Sequence, residues 1–205
     1  MVYARRPSAS FGIFKKIGLL GGSFDPPHLA HLVLAQTALE ELGLDEVWFL
    51  PAFVPPRKRN RKITPFEHRH RMIQLAVRGS RRFKVSDFER KKGGTSYTVE
   101  TLVLLRKKHP GFRFYFILGS DNLEILATSW KEPKKVFSMA TPVFARRPDT
   151  KAKLSNWLKR VIWLSNPLLD ISSTDLRARV KAGCSIRYLV PEAVERYVQK
   201  NRLYR

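Results

Sequence analysis

The chain has 205 residues, 43% apolar and including four tryptophans; that is enough for one domain with a sizeable buried core, and it argues against a disordered chain. Its 39 Lys and Arg outweigh 17 Asp and Glu, for a formal net charge of +22, which points to anionic partners and says nothing about fold. No apolar run approaches the roughly 18 residues needed to span a bilayer, and the one cysteine, Cys184, cannot form an internal disulfide, which points to a reducing, cytoplasmic compartment.

Residues 1–16 contain Arg5, Arg6, Lys15 and Lys16 and no acidic residue. They lack a long apolar segment followed by a small-residue cleavage site, so they read as a flexible basic arm and not as a secretory signal. From residue 17 onward, strand and helix patterns alternate. A strand is expected over Ile17–Leu20, then a helix from Leu29 to Glu41 with Leu32, Ala35 and Leu39 on its apolar stripe and Gly43 ending it. A second strand covers Glu46–Leu50, after which Pro51, Pro55 and Pro56 force an extended loop. Thr64 is the expected N-cap of a second helix, with Pro65 at its first position, Glu67 completing a capping box and Met72, Leu75 and Ala76 on its buried side. A short strand over Phe83–Ser86 precedes a loop at Gly93-Gly94, a third helix from Tyr97 to Lys107 and the most apolar strand, Phe114–Leu118. A helix over Asn122–Ala127, strands over Pro142–Ala145 and Arg160–Leu164, and helices over Ser173–Lys181 and Glu192–Gln199 complete the chain. Repeated strand–helix–strand units with apolar strands favour an α/β fold: a Rossmann-like parallel sheet flanked by helices on both faces, with a small C-terminal helical portion.

In such sheets the ligand crevice lies beyond the carboxyl ends of the strands. Two polar motifs follow strands there: Gly21-Gly22-Ser23-Phe24-Asp25-Pro26-Pro27-His28-Leu29-Ala30-His31 and Gly119-Ser120-Asp121-Asn122. The first lacks the glycines of a dinucleotide fingerprint and the Gly-Lys-Ser/Thr of a Walker A loop. Two histidines three residues apart at a helix start, beside backbone N–H groups and the helix dipole, suit a polyphosphate. A structural role for the pair, or a zinc site with His68 or His70 as a third ligand, is the lesser alternative, since no cysteine pair accompanies them. Asp121 follows a strand and a glycine, a common placing for a carboxylate that accepts from ribose hydroxyls. Trp130 is either a ring-stacking residue or core. Ser172-Ser173-Thr174-Asp175 reads as a helix cap that also suits phosphate, with Arg177 one turn on as a fork of donors.

Basic residues cluster at Arg57, Lys58, Arg59, Arg61 and Lys62, at Arg81, Arg82 and Lys84, and at Arg90, Lys91 and Lys92. A solvated basic face accounts for most of them, while Lys58 and its neighbours are placed to close over an anionic substrate. Nucleic-acid binding is the alternative of a different class. It predicts salt-sensitive binding to long polymers and leaves the histidine pair and Asp121 without a role.

Taken in order, GGSFDPPHLAH, PAFVPPRK, TPFEHRHRMIQLA, SYTVETL, FILGSDNL with Trp130 after it, FARRP, ISSTDLR and YLVPEAVERYV closely resemble the bacterial nicotinate-nucleotide adenylyltransferase family, within the HxGH-type nucleotidyltransferases. The resemblance covers about Lys16 to Arg205 and makes 17–205 one nucleotidyltransferase domain with its C-terminal helices. It implies ATP and nicotinate mononucleotide as substrates, magnesium held mainly by substrate phosphates with no metal site in the protein, and no membrane partner. It further implies that His28 and His31 contact ATP phosphates, with Ser172, Ser173, Thr174 and Arg177 completing the ATP site. Gly119 and Asp121 would serve adenosine, and Tyr97, Thr98 and Trp130 the nicotinate moiety. Gly21, Gly22, Ser23 and Phe24 would line the shared crevice. Sibling acceptors, nicotinamide mononucleotide or phosphopantetheine, are the alternatives within this chemistry, and a homo-oligomer is left open. The sequence departs from the family pattern at Ala30, where glycine is usual and a methyl is expected to be tolerated at some expense in ATP affinity. It departs also at Arg57, where histidine is frequent, and at Asp149, where glycine is frequent.

Overall fold

The computed structural model describes residues 14–58, 63–146, 158 and 161–205. The central sheet comprises β1 (Lys15–Gly22), β2 (Glu46–Pro51), β3 (Phe83–Val85), β4 (Phe112–Gly119), β5 (Thr141–Ala145) and β6 (Ile162–Leu164). Its order is β3-β2-β1-β4-β5-β6, and every neighbouring pair is parallel. The chain runs outward from β1 through β2 to β3, then returns to lay β4 on the other side of β1. The order therefore reverses between β1 and β4, where a crevice opens beyond the strand ends.

The helices are α1 (Leu29–Glu41), α2 (Phe66–Ala76), α3 (Phe88–Lys92), α4 (Thr98–Lys108), α5 (Leu123–Ser129), α6 (Pro133–Met139), α7 (Ser173–Lys181) and α8 (Glu192–Lys200). Alternation along β1 divides the core, because successive side chains point to opposite faces. Ile17 and Leu19 pack with Phe114, Phe116 and the buried leucines of α4, Leu102 and Leu105. Leu20 packs with Ala35, Ala38 and Leu39 of α1 on the other face. Gly18 is closely approached by the connection between α1 and β2: a Cβ there would lie 2.8 Å from Leu44 Cδ1 and 3.0 Å from Ile117 Cδ1. A third cluster joins Met72 of α2, Leu176 of α7 and Val194 and Val198 of α8, fixing the C-terminal helices to the sheet layer.

The long elements fall where the patterns placed them, and α1 and α7 match their expected bounds. Lys15 and Lys16, read as the end of the basic arm, are already in β1, while residues 1–13 lie outside the described residues, as do Arg59, Arg61, Lys62, Asp149 and Arg160. The short helices α3 and α6 were not expected. At α2 the capping expectation is corrected. The helix begins at Phe66 with Pro65 as N-cap and no side-chain cap. Thr64 is drawn elsewhere: its N–H donates to Asp25 Oδ2 at 3.3 Å, and its carbonyl accepts from Arg69 Nε at 2.8 Å. Glu67 turns to Arg90 instead, at 3.6 Å.

Candidate active site

The crevice at the switch point has a volume of about 220 Å³ and takes its walls from several of the sequence motifs. Gly21, Gly22 and His31 form one side, Gly119, Asp121 and Asn122 the β4 side, and Thr98 and Trp130 the far end. The glycines matter through contact distance. A Cβ at Gly22 would meet the Phe24 ring at 3.2 Å, tighter than most real contacts.

His28 is the N-cap of α1 and is buried; His31 stands in the first turn and is half-buried against the crevice. The His28 N–H donates to His31 Nδ1 at 3.2 Å, and the two rings lie with centroids 3.7 Å apart. Because Nδ1 accepts, the ring proton of His31 sits on Nε2, which makes that nitrogen a hydrogen-bond donor. The helix N-terminus offers less to an anion than the motif suggested. The Leu29 N–H donates to Leu189 O at 3.0 Å and the His31 N–H to His28 O at 3.0 Å. Phe24, in the left-handed region at φ 49°, is buried beneath His31 with ring centroids 4.9 Å apart, so it supports the crevice from below and does not line it.

The second motif meets the first through the loop. Ser172 is the N-cap of α7, and its Oγ accepts from the Asp175 N–H at 3.1 Å, in agreement with the capping expectation. Ser173 Oγ donates to Pro26 O at 2.9 Å, and Arg177 donates to Asp25 O at 2.8 Å, to Ser173 O at 3.1 Å and to Thr174 Oγ1 at 3.3 Å. These residues therefore clamp the 23–28 loop and are not among those lining the crevice. Tyr97 caps α4 at its start, half-buried, with the Lys131 ammonium 4.7 Å above its ring. Trp130 meets Phe116 edge-on at 5.8 Å and stacks on Phe137 at 6.2 Å. Asp121 is exposed in the 3-10 turn Ser120–Asn122, and Asn122 Nδ2 holds that turn by donating to Gly119 O at 3.2 Å. Lys58 ends the 3-10 turn Pro56–Lys58, on the loop that follows β2.

Three residues to which the sequence reading gave no role organise this site. Arg69 is 1% exposed and spends its fork on backbone carbonyls: Nε on Thr64 at 2.8 Å, one terminal nitrogen on Ser23 at 2.9 Å and Ala52 at 2.8 Å, the other on Phe53 at 3.2 Å. Burial lowers its pKa and the nearby Asp25 carboxylate opposes that shift, the arrangement a buried guanidinium needs. Glu89, also buried, lines the crevice and accepts from Thr101 Oγ1. Its Oε2 has Lys92 Nζ at 3.7 Å and no hydrogen bond among the described residues. Lys92 in turn donates to Thr95 O at 2.8 Å, so the pair braces the loop that delivers Thr98. Asp25 is the third, 3% exposed within the histidine loop itself. The signal for Arg69 lay only in a charged residue interrupting the apolar side of a helix, which sequence alone does not separate from a solvated face, and Glu89 lies in a short helix that no pattern marked.

Among the described residues no group of three or more His, Cys, Asp or Glu is placed to hold a metal, and no helix is long and apolar enough to cross a membrane.

The Cytidylyltransferase-like family model matches residues 19–179. The "Probable nicotinate-nucleotide adenylyltransferase" of Salinibacter ruber is 42% identical over 191 residues, covering 92% of this chain and 97% of its own. That of Lactiplantibacillus plantarum is 41% identical over 193 residues, covering 93% and 88%. Among solved structures, Plasmodium falciparum nicotinic acid mononucleotide adenylyltransferase complexed with NaAD superposes with a TM-score of 0.77 at 24% identity, over 93% of this chain and 97% of that one. At that identity the likeness is one of fold.

Proposed function

The chain belongs to the nicotinate-nucleotide adenylyltransferase family, within the cytidylyltransferase-like group, and on that premise we propose that it transfers the adenylyl group of ATP to nicotinate mononucleotide, giving nicotinate adenine dinucleotide and pyrophosphate. The observation that carries the reading is the crevice at the β1/β4 switch point. It brings a histidine donor and a glycine turn together with Asp121 and with Trp130.

In this reaction a 5′-phosphate oxygen of the mononucleotide attacks the α-phosphorus of ATP, and the bond to the β-phosphate bridging oxygen breaks as pyrophosphate leaves. The attacking phosphate is already anionic at neutral pH, so the chain needs no general base. Its work is positioning and charge stabilisation. His31, with its donor on Nε2, faces the triphosphate. His28 fixes the tautomer and ring pose of His31 through its N–H and the close, tilted contact of the two rings. Gly21 and Gly22 admit the phosphates close to the backbone. Ser173 and Arg177 hold the loop, Thr174 accepts from Arg177, and Ser172 caps their helix; Arg177 brings its cation to the Asp25 carbonyl, three residues before His28. Asp121 and Gly119 serve the adenosine, and Thr98 and Trp130 the pyridine ring, with Tyr97 setting the start of α4. Lys58, at the end of the turn after β2, is assigned to the anionic substrate. No residue of this chain is assigned to magnesium, which, bound to the triphosphate, would screen charge on the leaving group. The exposed lone Cys184 fits a reducing compartment, and the proposed location is the cytoplasm.

The test is pyrophosphate release from ATP and magnesium with nicotinate mononucleotide, nicotinamide mononucleotide and phosphopantetheine in parallel, with the product identified by mass. Preference for nicotinate mononucleotide supports the proposal. Preference for either other acceptor reassigns the ring end of the crevice, and no turnover from folded protein overturns it.

A further inference from the structure

The last turn of the chain reaches the histidine loop. After α8 the chain closes with a Schellman-type cap: Leu203 N–H donates to Val198 O and Arg202 N–H to Gln199 O, each at 3.1 Å, with Arg202 left-handed at φ 50°. Tyr204 follows, itself left-handed at φ 68°. Two non-glycine residues in that region within three positions are costly, and such geometry persists where other contacts fix it. What it achieves here is to turn Tyr204 inward. The phenol donates to Asp25 Oδ1 at 2.8 Å across 179 positions of sequence and lies 3.9 Å from Met72 Sδ.

Asp25 stands three residues before His28, in a loop held carbonyl by carbonyl. Ser23 O accepts from Arg69 at 2.9 Å, Asp25 O from Arg177 at 2.8 Å and Pro26 O from Ser173 at 2.9 Å. The loop's one carboxylate takes the two remaining ties, the Thr64 N–H at 3.3 Å and the Tyr204 phenol. With Asp25 3% exposed, losing either donor strips a buried charge of a hydrogen bond that water does not freely replace.

We propose that Tyr204 is a positioning residue for adenylyl transfer: its hydrogen bond to Asp25 ties the end of the chain to the histidine loop and sets the pose in which His28 and His31 meet the triphosphate. The inference rests on the function proposed above. It adds that the C-terminal turn is part of the machinery of the ATP half-site while leaving the acceptor half-site alone, since the ties of Tyr204 and Asp25 run to one another, to Met72, to Thr64 and to Arg177.

The experiment compares wild type with Tyr204→Phe, Asp25→Asn, Asp25→Ala and the Tyr204→Phe/Asp25→Ala pair, reading kcat, both KM values, thermal unfolding and ATP affinity by calorimetry. Tyr204→Phe deletes one oxygen and is expected to fold, to lose about tenfold in kcat/KM for ATP, and to keep its KM for the mononucleotide within twofold. Asp25→Asn keeps an acceptor for the phenol and is expected to retain more activity than Asp25→Ala. Adding Tyr204→Phe to Asp25→Ala is expected to cost little more, because the partner is already gone. Wild-type kinetics in Tyr204→Phe, even in a less stable protein, would overturn the proposal. So would fully multiplicative losses in the pair, or equal loss in both KM values. If Tyr204→Phe does not fold, the Asn-against-Ala comparison at Asp25 decides the same question. Absence of turnover in wild type counts against the proposed function alone, and the ATP affinities then decide the role of Tyr204.

Discussion

Replacing Arg69 by methionine removes every donor from a buried fork while nearly preserving its volume. The four carbonyls it serves, on Thr64, Ser23, Ala52 and Phe53, stay where they are, in a place the guanidinium occupies at 1% exposure. Exchanging a whole buried ion pair for apolar residues is often harmless, but removing one partner and leaving the others is not. Each stranded acceptor costs about 1–3 kcal/mol before the chain relaxes, and relaxation and entering water recover part of it. A net loss of about 3–5 kcal/mol follows, a large share of the roughly 5–15 kcal/mol typical of a folded domain. With a urea m-value of about 2 kcal/mol/M, the midpoint should fall by about 1.5–2.5 M. Arg69→Lys keeps the charge but not the fork, and should lie between the two. Because Arg69 joins Ser23 before the histidines to Ala52 on the crevice wall, Arg69→Met should also raise the KM for ATP at temperatures where it remains folded. A destabilisation below about 1 kcal/mol, or parity of Lys and Met with wild type, would refute the claim that this fork sets the two walls.

Other substitutions test separate links. His31→Ala should lower kcat by about 10²–10³-fold, the loss associated with a donor acting on transition-state charge, with an unchanged circular dichroism spectrum; near-normal turnover would remove His31 from that role. Trp130→Ala should raise the KM for the mononucleotide while leaving that for ATP close to wild type, and the reverse pattern in steady-state kinetics would reassign the ring end. Gly18→Ala should destabilise by about 1–3 kcal/mol through overpacking, given a Cβ only 2.8 Å from Leu44 Cδ1; an unshifted urea midpoint would show that the Leu44 end yields freely. Burial lowers the pKa of His70 below its usual range. The unfolded chain thus binds the proton first, and this contribution to stability is present above about pH 6.5 and is lost as the pH falls through and below that value. Urea midpoints at pH 7.5 and pH 5 should therefore differ less in His70→Gln than in wild type, and an equal difference would assign the acid sensitivity to other groups.

Much of this protein is legible from local physics. The apolar strands, the β1 loop with its two histidines, the Ser172 cap and the bounds of α1 and α7 follow from periodicity and capping chemistry, which act over a few residues. The parallel sheet follows from the alternation of units, and the crevice at the strand ends from that sheet. What the sequence did not determine is which charged residues go inside. Arg69 and Glu89 look like any other charged residues of their helices, and only the approach of the Ser23 loop, the Ala52 wall and Thr101 supplies the partners that make their burial tolerable. Thr64 illustrates the same competition: a residue with every local mark of an N-cap gives its backbone to Asp25 and Arg69 instead, because buried groups brought from far along the chain lose more by going unpaired than a helix end does by lacking a cap. The meeting of Tyr204 with Asp25 lies wholly beyond sequence reading, since nothing near either residue marks the other; it depends on α8 docking against Met72 before the final turn can reach the loop.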